Sequence, residues 1–298
     1  MSESIFQSGF VSIIGRPNVG KSTLLNRILG EKIVITSDKP QTTRNRIQGI
    51  LTLPDAQIIF IDTPGIHAPR SMLNKLMVET ALASIKGVDA VLFLVESSVA
   101  AGERERQILE ALAGAESPVF LVINKIDLVS REALLPLIAG YSELFPFKEV
   151  IPLSAATGDG VERLVQAVQR VLPSGPRYFP DDILSDVPER FIAAEIIREK
   201  VFRLTRDEVP YSVAVVIDSF KEREDGNLIS ISATINVERD SQKGIIIGRK
   251  GEMLKKVGMQ ARREIEQLMG TKVFLELFVR VSRQWSENPR MLKEFGYE

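Results

Sequence analysis

The residues between Gly15 and Ser22, GRPNVGKS, have the types and spacing needed to bind a polyphosphate. They match G-x-x-x-x-G-K-[ST], in which backbone N–H groups surround the phosphates, the lysine reaches the β- and γ-phosphates and the hydroxyl binds Mg²⁺. An apolar run at 10–14 predicts a strand before this turn, and the spacing of 22–29 predicts a helix after it. Because a helix N-terminus adds partial positive charge, this context favours a phosphate site over a chance glycine-rich turn. The predicted phosphate-contacting residues are Gly15, Arg16, Pro17, Asn18, Val19, Gly20, Lys21, Ser22 and Thr23.

A second motif, N-K-x-D at 124–127, follows the apolar run 121–123 and is expected to select the base. The carboxylate of Asp127 can accept hydrogen bonds from N1–H and the 2-amino group of guanine, whereas adenine offers neither donor. A buried carboxylate without these partners is costly, so the contact favours guanine over adenine. We expect Asn124 to brace the loops and the stem of Lys125 to cover the base, and the alternative is a solvated turn. After a further apolar run, three backbone N–H groups are expected at the guanine O6, those of Ser154, Ala155 and Ala156.

Between these motifs lie residues suited to Mg²⁺ and the γ-phosphate. The run 58–61 ends in D-T-P-G, where we expect Asp62 to hold Mg²⁺ through a water molecule and the Gly65 N–H to contact the γ-phosphate. In isolation, D-x-x-G is also typical of an ordinary turn. In the polar stretch 36–45, Thr43 is favoured to complete the Mg²⁺ shell and Thr42 stays open. The nucleotide set therefore also includes Thr42, Thr43, Asp62, Thr63, Pro64 and Gly65. The predicted catalytic residues are Lys21, Thr43 and Gly65, and the predicted Mg²⁺ ligands are Ser22, Thr43 and Asp62.

The elements that must position these motifs alternate between strand and helix. Strands are predicted at 10–14, 58–61, 88–95, 121–123 and 150–153, and helices at 22–29, 103–112, 131–144 and 161–172. This alternation predicts an α/β fold with a mostly parallel sheet and helices on both faces. Ligands bind at the carboxyl ends of such strands, and the motifs fall at those ends.

Taken together, these motifs resemble those of the Ras-like P-loop GTPases, and GRPNVGKS, TTR and DTPG are similar to the branch related to bacterial translation factors. The resemblance implies GTP and GDP as ligands, Mg²⁺ as cofactor and hydrolysis of GTP. Ras-type proteins carry a glutamine after D-x-x-G that orients the attacking water, and this chain has Ile66 there. Isoleucine cannot hydrogen-bond water, so another group, a bound cation or a partner must act. Asn18 matches an asparagine that helps some similar GTPases bind K⁺, so K⁺ is a further expected ligand.

Composition narrows the class of protein. A chain of 298 residues suggests about two domains, and the absence of cysteine excludes disulfides and zinc–thiolate sites, which fits a reducing cytosol. We expect neither a signal peptide nor a membrane span, because the N-terminus has no basic segment followed by an apolar one and no window is long and apolar enough. With a net charge of −1, only a local basic patch is expected to attract nucleic acid.

Proline and glycine from Pro173 to Pro188 interrupt the alternation and predict a linker. The pattern beyond it is helix 191–204, strand 212–220, strand 228–237, a helical stretch 244–269 with one break, strand 272–281 and a short helical cap within 289–298. We therefore expect a GTPase domain at 1–173, a linker at 174–190 and an α+β domain at 191–298.

The break, Gly248-Arg249-Lys250-Gly251, has the residue types of a nucleic-acid-binding loop. Glycines let the backbone approach phosphates, and from Lys243 to Arg263 there are seven basic residues and one acidic residue. The loop and the element order match a type II KH domain, whose GXXG loop clamps single-stranded nucleotides, and the alternative is a helix–turn–helix with solvated lysines. The predicted RNA-contacting residues are Lys243, Gly244, Ile246, Ile247, Gly248, Arg249, Lys250, Gly251, Lys255 and Lys256. We expect the aromatic residues Phe220, Phe274 and Phe278 in the core and Trp285 as an anchor for the C-terminal tail.

A P-loop GTPase followed by a KH domain of this order resembles the Era family of bacterial GTPases over essentially the whole chain, including the residues from Phe274 through Trp285 to Tyr297. The resemblance implies binding of the 3′ end of 16S rRNA, a role in assembly of the small (30S) ribosomal subunit and a peripheral association with the inner face of the cell membrane. We expect a cytoplasmic monomer in which nucleotide state and RNA binding are coupled. Two alternatives stay open: an RNA-binding scaffold that nucleotide only stabilises, and an ATP-dependent kinase or helicase-type enzyme.

Overall fold

Strands and helices alternate through the first part of the chain, as the apolar runs predict. The computed structural model describes residues 6–37, 39, 41–69, 71–223 and 226–297. The chain divides into a first unit, 1–70 with 74–186, and a second unit, 71–73 with 187–298. From residue 7 to residue 169 the elements are β1 (Gln7–Gly15), α1 (Lys21–Leu29), β2 (Ile47–Thr52), β3 (Ala56–Asp62), α2 (Met72–Ala83), β4 (Ala90–Glu96), α3 (Glu103–Leu112), β5 (Val119–Asn124), α4 (Arg131–Leu144), β6 (Glu149–Pro152) and α5 (Val161–Gln169).

One mostly parallel sheet organises the first unit. Within the described residues it has six strands in the order β2-β3-β1-β4-β5-β6, and only the pairing of β2 with β3 is antiparallel. In that pairing Gly49 lies opposite Phe60, and a Cβ on Gly49 would meet Leu25 of α1 at 2.6 Å. The next residue, Ile61, belongs instead to a buried cluster that includes residues of α3 and α4. Successive strand residues point to opposite faces, so helices cover both faces of the sheet.

Two elements of this unit were not predicted, β2 and α2. The sequence of β2, IQGILT, is short, contains a glycine and follows a polar stretch, so it carries little strand signal. The backbone groups of β3 point to both sides of the strand, and β2 supplies partners for those that do not face β1.

Part of the predicted linker is hydrogen-bonded to the first unit. Gln57 Oε1 accepts hydrogen bonds from the N–H groups of Tyr178 and Phe179 at 2.8 and 3.0 Å. Farther along, the Ile50 N–H donates to the Leu184 carbonyl at 2.9 Å, so the segment runs beside β2. The first unit accordingly extends to residue 186.

The second unit has the predicted order of helix, strand, strand, helix, loop, helix and strand. Its elements are α6 (Glu189–Leu204), β7 (Ala214–Glu222), β8 (Leu228–Val237), α7 (Asp240–Ile247), α8 (Glu252–Met269), β9 (Lys272–Val281) and α9 (Pro289–Glu294). Its described residues form one sheet of three strands in the order β7-β8-β9, with β8 and β9 parallel. The expectation of a short C-terminal helix is confirmed, and Trp285 is fully buried against Tyr297.

The expectation that Phe274 and Phe278 lie in the core is wrong. They are 53% and 56% exposed. Along β9 the odd-numbered residues, such as Leu275, pack against the helices, and period-two alternation turns both phenylalanines to the opposite face. Phe220 does pack against the core. Among the helices of the described ranges, none has the length and apolarity to cross a membrane.

Candidate functional site

The parallel strands bring the predicted motifs to one edge of the first sheet. Ile13 of β1 lies opposite Asp62 at the end of β3, and Gly15 lies opposite Leu94 of β4. Farther along the sheet, Glu96 lies opposite Asn124 at the end of β5. The phosphate, metal and base motifs therefore adjoin one another, although more than 100 residues separate the first from the last.

The glycine-rich turn requires glycine at the start of α1. Gly20 has φ 99°, which L side chains rarely adopt, and a Cβ there would lie 2.2 Å from Asn124 Nδ2. Gly15 is equally confined, since its Cβ would lie 2.4 Å from the Leu94 carbonyl oxygen. The turn can therefore pack closely on the strand ends, and the helix N-terminus that follows it is suited to a phosphate.

Lys21 is buried and its ammonium is held by carbonyl groups of the turn. Nζ donates to the carbonyls of Arg16 at 3.0 Å and Gly15 at 3.3 Å. Burial lowers the pKa of Lys21 to about 8, and the nearby Asp62 carboxylate offsets only part of that effect. A polyphosphate in the turn would favour the charged lysine.

Three oxygen atoms converge where a Mg²⁺ ion is expected. Ser22 Oγ lies 2.7 Å from Asp62 Oδ2 and 2.8 Å from Thr43 Oγ1, and Thr43 Oγ1 lies 3.3 Å from the same carboxylate oxygen. The hydroxyl of Thr42 instead donates to the Lys39 carbonyl at 2.8 Å. Thr43, the threonine that the sequence favours, is thus the one beside the predicted metal ligands.

The residues present fit a divalent cation. Asp62 is fully buried, and its Oδ1 has no hydrogen-bond partner within the described part of the chain. Burial raises the pKa of Asp62 against the opposing effects of Lys21 and the Ser22 and Thr43 hydroxyls. Mg²⁺ prefers oxygen ligands, and a divalent charge would offset the cost of the buried carboxylate.

Asn124 ties three loops together, which is the bracing role expected for it. Its Nδ2 donates to the Val19 carbonyl of the glycine-rich turn at 2.7 Å. Its Oδ1 accepts from the N–H groups of Lys125 at 2.8 Å and Ala155 at 2.9 Å. One buried side chain therefore joins the predicted phosphate and base motifs.

Lys125 has a left-handed backbone at φ 65°, and its ammonium lies 2.8 Å from Glu96 Oε1. This ion pair holds the lysine ammonium at the end of β4. The side chain of Asp127 is exposed in the short turn 126–128, where a guanine base can reach it.

The expectation that three N–H groups of the 154–156 loop are available to guanine needs correction. The Ser154 N–H donates to the Asp159 carbonyl at 2.9 Å, and the Ala155 N–H is the one bound by Asn124. The loop folds on itself through these bonds. The donor that remains without a partner among the described residues is the Ala156 N–H.

The last residue of D-x-x-G, Gly65, has a backbone role, and the residue after it, Ile66, has a packing role. A Cβ on Gly65 would lie 2.6 Å from the Pro17 nitrogen, so only glycine lets the two loops approach this closely. Ile66 donates its N–H to the Gly15 carbonyl at 3.1 Å, and its side chain packs on the core cluster. Asn18, the expected K⁺ ligand, is exposed with φ 67°.

Glu105 of α3 is a further residue at this site, and no sequence motif predicts it. Its Oε1 lies 2.7 Å from Arg16 Nη1, and its Oε2 accepts from the Gly102 N–H at 3.0 Å. Burial would raise the pKa of Glu105, but the hydrogen bonds from Arg16 and from backbone N–H groups outweigh it and lower the pKa. The available signal was a glutamate in the first turn of a predicted helix, which is typical of an ordinary helix start.

The GXXG loop in the second unit has a backbone that suits its glycines. Gly248 has φ 72° and a Cβ there would lie 2.7 Å from Met253 Cβ, while Gly251 has φ 81°. Between them Lys250 also adopts a left-handed conformation, with φ 52°. The tight turn leaves the side chains of Arg249 and Lys250 exposed beside the start of α8.

One predicted RNA contact, Ile246, is contradicted by its burial. It is 0% exposed and packs in the core with Val257 and Ile265, so it cannot touch a ligand. The neighbouring Ile245 is 48% exposed, because the helical turn places it on the outer face. The remaining predicted contacts are exposed or partly exposed: Lys243, Gly244, Ile247, Gly248, Arg249, Lys250, Gly251, Lys255 and Lys256.

Comparison with known proteins supports both units. Residues 10–125 match the family model described as 50S ribosome-binding GTPase, and residues 208–286 match that of the KH domain. The chain is 74% identical to GTPase Era of Geotalea daltonii and 72% identical to that of Geotalea uraniireducens, over 100% of each chain. The chain belongs to the Era family of GTPases.

Solved Era structures have the same fold. One, Era in complex with MgGDPNP and nucleotides 1506–1542 of 16S ribosomal RNA, is 42% identical and matches with a TM-score of 0.95 over 98% of this chain and 99% of that chain. An Aquifex aeolicus Era variant bound to GDP and AlF4⁻ matches with the same identity, coverage and TM-score. The Era family thus accounts for the whole chain, with a Ras-like GTPase fold followed by a KH fold.

Proposed function

We propose that this protein is a GTP-hydrolysing switch that binds single-stranded rRNA at the 3′ end of 16S rRNA and acts in assembly of the 30S subunit. The observation that carries the proposal is the meeting of Ser22, Thr43 and Asp62, which joins the glycine-rich turn to a polar loop that can respond to the γ-phosphate. The solved Era complex with MgGDPNP and 16S rRNA supports both ligands. Membership of a GTPase family sets aside the ATP-dependent alternative.

The chain's own residues would bind and orient the substrate. N–H groups of the glycine-rich turn and the Lys21 ammonium hold the phosphates, while Asp127 and the Ala156 N–H hold the guanine edge. Ser22 and Thr43 would bind Mg²⁺ directly and Asp62 would do so through a water molecule. When bound, Mg²⁺ neutralises charge that develops on the phosphate oxygens.

The attacking water needs an orienting group other than Ile66, whose side chain packs on the core. We propose that K⁺ held near Asn18 contributes charge at the phosphates in this protein. GTP turnover should be faster in K⁺ than in Na⁺, and the Asn18→Ala variant should remove that difference. Equal wild-type rates in the two salts would refute a role for K⁺.

A physical route for switching starts at Thr43, four residues before β2. Strand β2 is held to the segment that leads to the second unit: Ser185 Oγ donates to the Gln48 carbonyl at 2.8 Å, and the Gln48 N–H donates to Asp186 Oδ1 at 3.3 Å. Loss of the γ-phosphate would release Thr43 and change the restraint on this segment. Because coupling between ligand sites is reciprocal, 16S rRNA should change the affinity for GTP.

Base specificity provides a direct test of the nucleotide site. An Asp127→Asn substitution should shift preference from GTP to xanthosine triphosphate, because an amide no longer accepts from both guanine donors but can donate to the xanthine 2-oxo group. The matched control is Asp182→Asn, an exposed carboxylate outside the site. Unchanged GTP preference in the Asp127 variant would refute the assigned role.

The RNA function is tested separately. A Lys250→Asn variant keeps a residue tolerant of φ 52° and removes one charge, so RNA affinity should fall and its salt dependence should weaken by about one phosphate contact. A Lys21→Ala variant that loses GTP yet supports full 30S assembly would instead favour the scaffold alternative.

We further propose that the protein works in the cytoplasm as a monomer with peripheral contact to the inner face of the cell membrane, as the family resemblance implies. Cell fractionation at low and high salt would test the membrane contact. Recovery entirely in the cytosolic fraction at low salt would refute it.

A further inference from the structure

We propose that Arg27, a residue outside all the sequence motifs, positions the 154–156 loop for recognition of the guanine O6. Arg27 lies in the last turn of α1. Its Nε donates to the Ala155 carbonyl at 3.2 Å, and its Nη2 donates to the Ala156 carbonyl. The proposal rests on the guanine-nucleotide site proposed above.

The geometry of one peptide group gives this contact its consequence. The Ala155 carbonyl and the Ala156 N–H belong to the same planar trans peptide, so they point in opposite directions. By holding the carbonyl, Arg27 fixes the direction of the N–H. That N–H is the donor of the loop that has no partner among the described residues.

A second side chain holds the preceding peptide. Asn124 Oδ1 accepts the Ala155 N–H at 2.9 Å, while Arg27 holds the carbonyls of Ala155 and Ala156. Asn124 of the base motif therefore binds one N–H of the loop, and Arg27 of α1 binds two of its carbonyls. Asn124 therefore holds the 154–155 peptide group and Arg27 holds the 155–156 peptide group.

Electrostatics make the orientation matter for base recognition. If the 155–156 peptide rotated, the Ala155 carbonyl oxygen would replace the Ala156 N–H as the group facing the nucleotide. Two carbonyl oxygens would then oppose each other, where the unrotated loop offers a donor to O6. The guanidinium also lies at the C-terminal end of α1, where a cation is favourable.

If Arg27 only held the loop to α1, its removal would weaken the binding of all guanine-type nucleotides alike. If Arg27 positions an O6 donor, its removal would weaken most the nucleotides that have O6. Three diphosphates separate the two cases in the full-length protein. GDP has O6 and both donors for Asp127; inosine diphosphate keeps O6 but lacks the 2-amino group; 6-thio-GDP keeps both donors and replaces O6 with sulfur, a weaker acceptor.

The experiment measures dissociation constants of these three nucleotides for wild type, Arg27→Ala and Arg27→Lys by calorimetry. We expect Arg27→Ala to weaken GDP and inosine diphosphate by the same factor, about three- to tenfold, and 6-thio-GDP by much less. Arg27→Lys should fall between wild type and Arg27→Ala, since one ammonium replaces the two-pronged contact. The control Arg163→Ala removes an exposed arginine of α5 that pairs with Glu149, and it should change none of the three constants.

Each result decides the proposal. Equal weakening of all three nucleotides, or weakening of none, would overturn the role of Arg27. A larger loss for 6-thio-GDP than for GDP would overturn it as well. Failure of the proposed nucleotide site is distinguishable, because then the wild-type protein itself would not bind GDP.

Discussion

The side-chain nitrogen of Asn124 lies 2.7 Å from the carbonyl oxygen of Val19, so a residue of the base motif holds the phosphate-binding turn in place. Truncation by Asn124→Ala would leave the Val19 carbonyl and the Ala155 N–H unpaired. Each unpaired buried group costs about 1–3 kcal/mol, so we expect the free energy of unfolding to fall by about 2–6 kcal/mol. GDP affinity should fall together with it.

Denaturant unfolding and calorimetric titration with GDP measure these two effects. The control is Gln107→Ala, which removes an exposed amide on α3 and should change the unfolding free energy by less than about 0.5 kcal/mol. An Asn124 variant with wild-type stability and GDP affinity would contradict the bracing role.

Proton uptake should accompany nucleotide binding because the pKa of Lys21 is lowered to about 8. Near pH 8 about half of the ligand-free protein has a neutral Lys21, and bound phosphates restore its charge. GDP binding without Mg²⁺ should therefore bring a fraction of a proton onto Lys21 at pH 8 and almost none onto Lys21 at pH 6. Calorimetry in buffers of different ionisation enthalpy measures this number.

A Lys75→Ala variant serves as the control for proton uptake, since Lys75 is exposed on α2 and lies outside the site. It should leave the uptake unchanged. Proton uptake that stays at zero from pH 6 to pH 9 would contradict the lowered pKa of Lys21.

Local sequence patterns predicted much of this fold because the apolar residues that form each pattern are the ones that pack in the core. The bounds 103–112, 131–144, 228–237 and 272–281 agree with α3, α4, β8 and β9. Each of these elements has a long periodic pattern of apolar residues. Strand β2 was missed because its place depends on the edge of β3, a long-range requirement that six residues do not display.

Whether a side chain is buried or exposed was harder to predict where a shift of one residue along the element moves it to the opposite face. Ile245 and Ile246 are chemically identical neighbours, yet only the second is buried. Phe274 and Phe278 are as apolar as any core residue, and strand alternation alone turns them outward. Arg27 and Glu105 belong to no motif, since they act on loops distant in sequence that only the folded chain brings near.

Acid should weaken the contact between Arg16 and Glu105. The pKa of Glu105 is lowered in the folded protein, so the stability it contributes is fully present above the ordinary glutamate pKa and is lost as pH falls through the lowered value. Glu105→Gln keeps the shape and removes the charge. We expect it to cost about 1 kcal/mol of unfolding free energy at pH 7, since Arg16 is partly exposed, and less at pH 3.5.

Denaturant melts of wild type and Glu105→Gln at the two pH values test this pH dependence. Glu103→Gln, on the exposed first turn of α3, is the control and should show a much smaller difference. A Glu105→Gln penalty that grows towards pH 3.5 would contradict the direction assigned to the pKa.

The adjacent isoleucines of α7 offer a matched pair for separating stability from RNA binding. Ile246→Ala should lower the unfolding free energy of the second unit by about 2–4 kcal/mol, because it opens a cavity in a core where Ile246 is fully buried. Ile245→Ala should leave stability nearly unchanged and weaken binding of a 16S rRNA 3′-end oligonucleotide, because its side chain lies on the exposed face beside the GXXG loop. Denaturant unfolding and fluorescence anisotropy measure the two quantities. If Ile245→Ala destabilised the protein as much as Ile246→Ala, or left RNA affinity untouched, the outward face of α7 would not be part of the RNA surface.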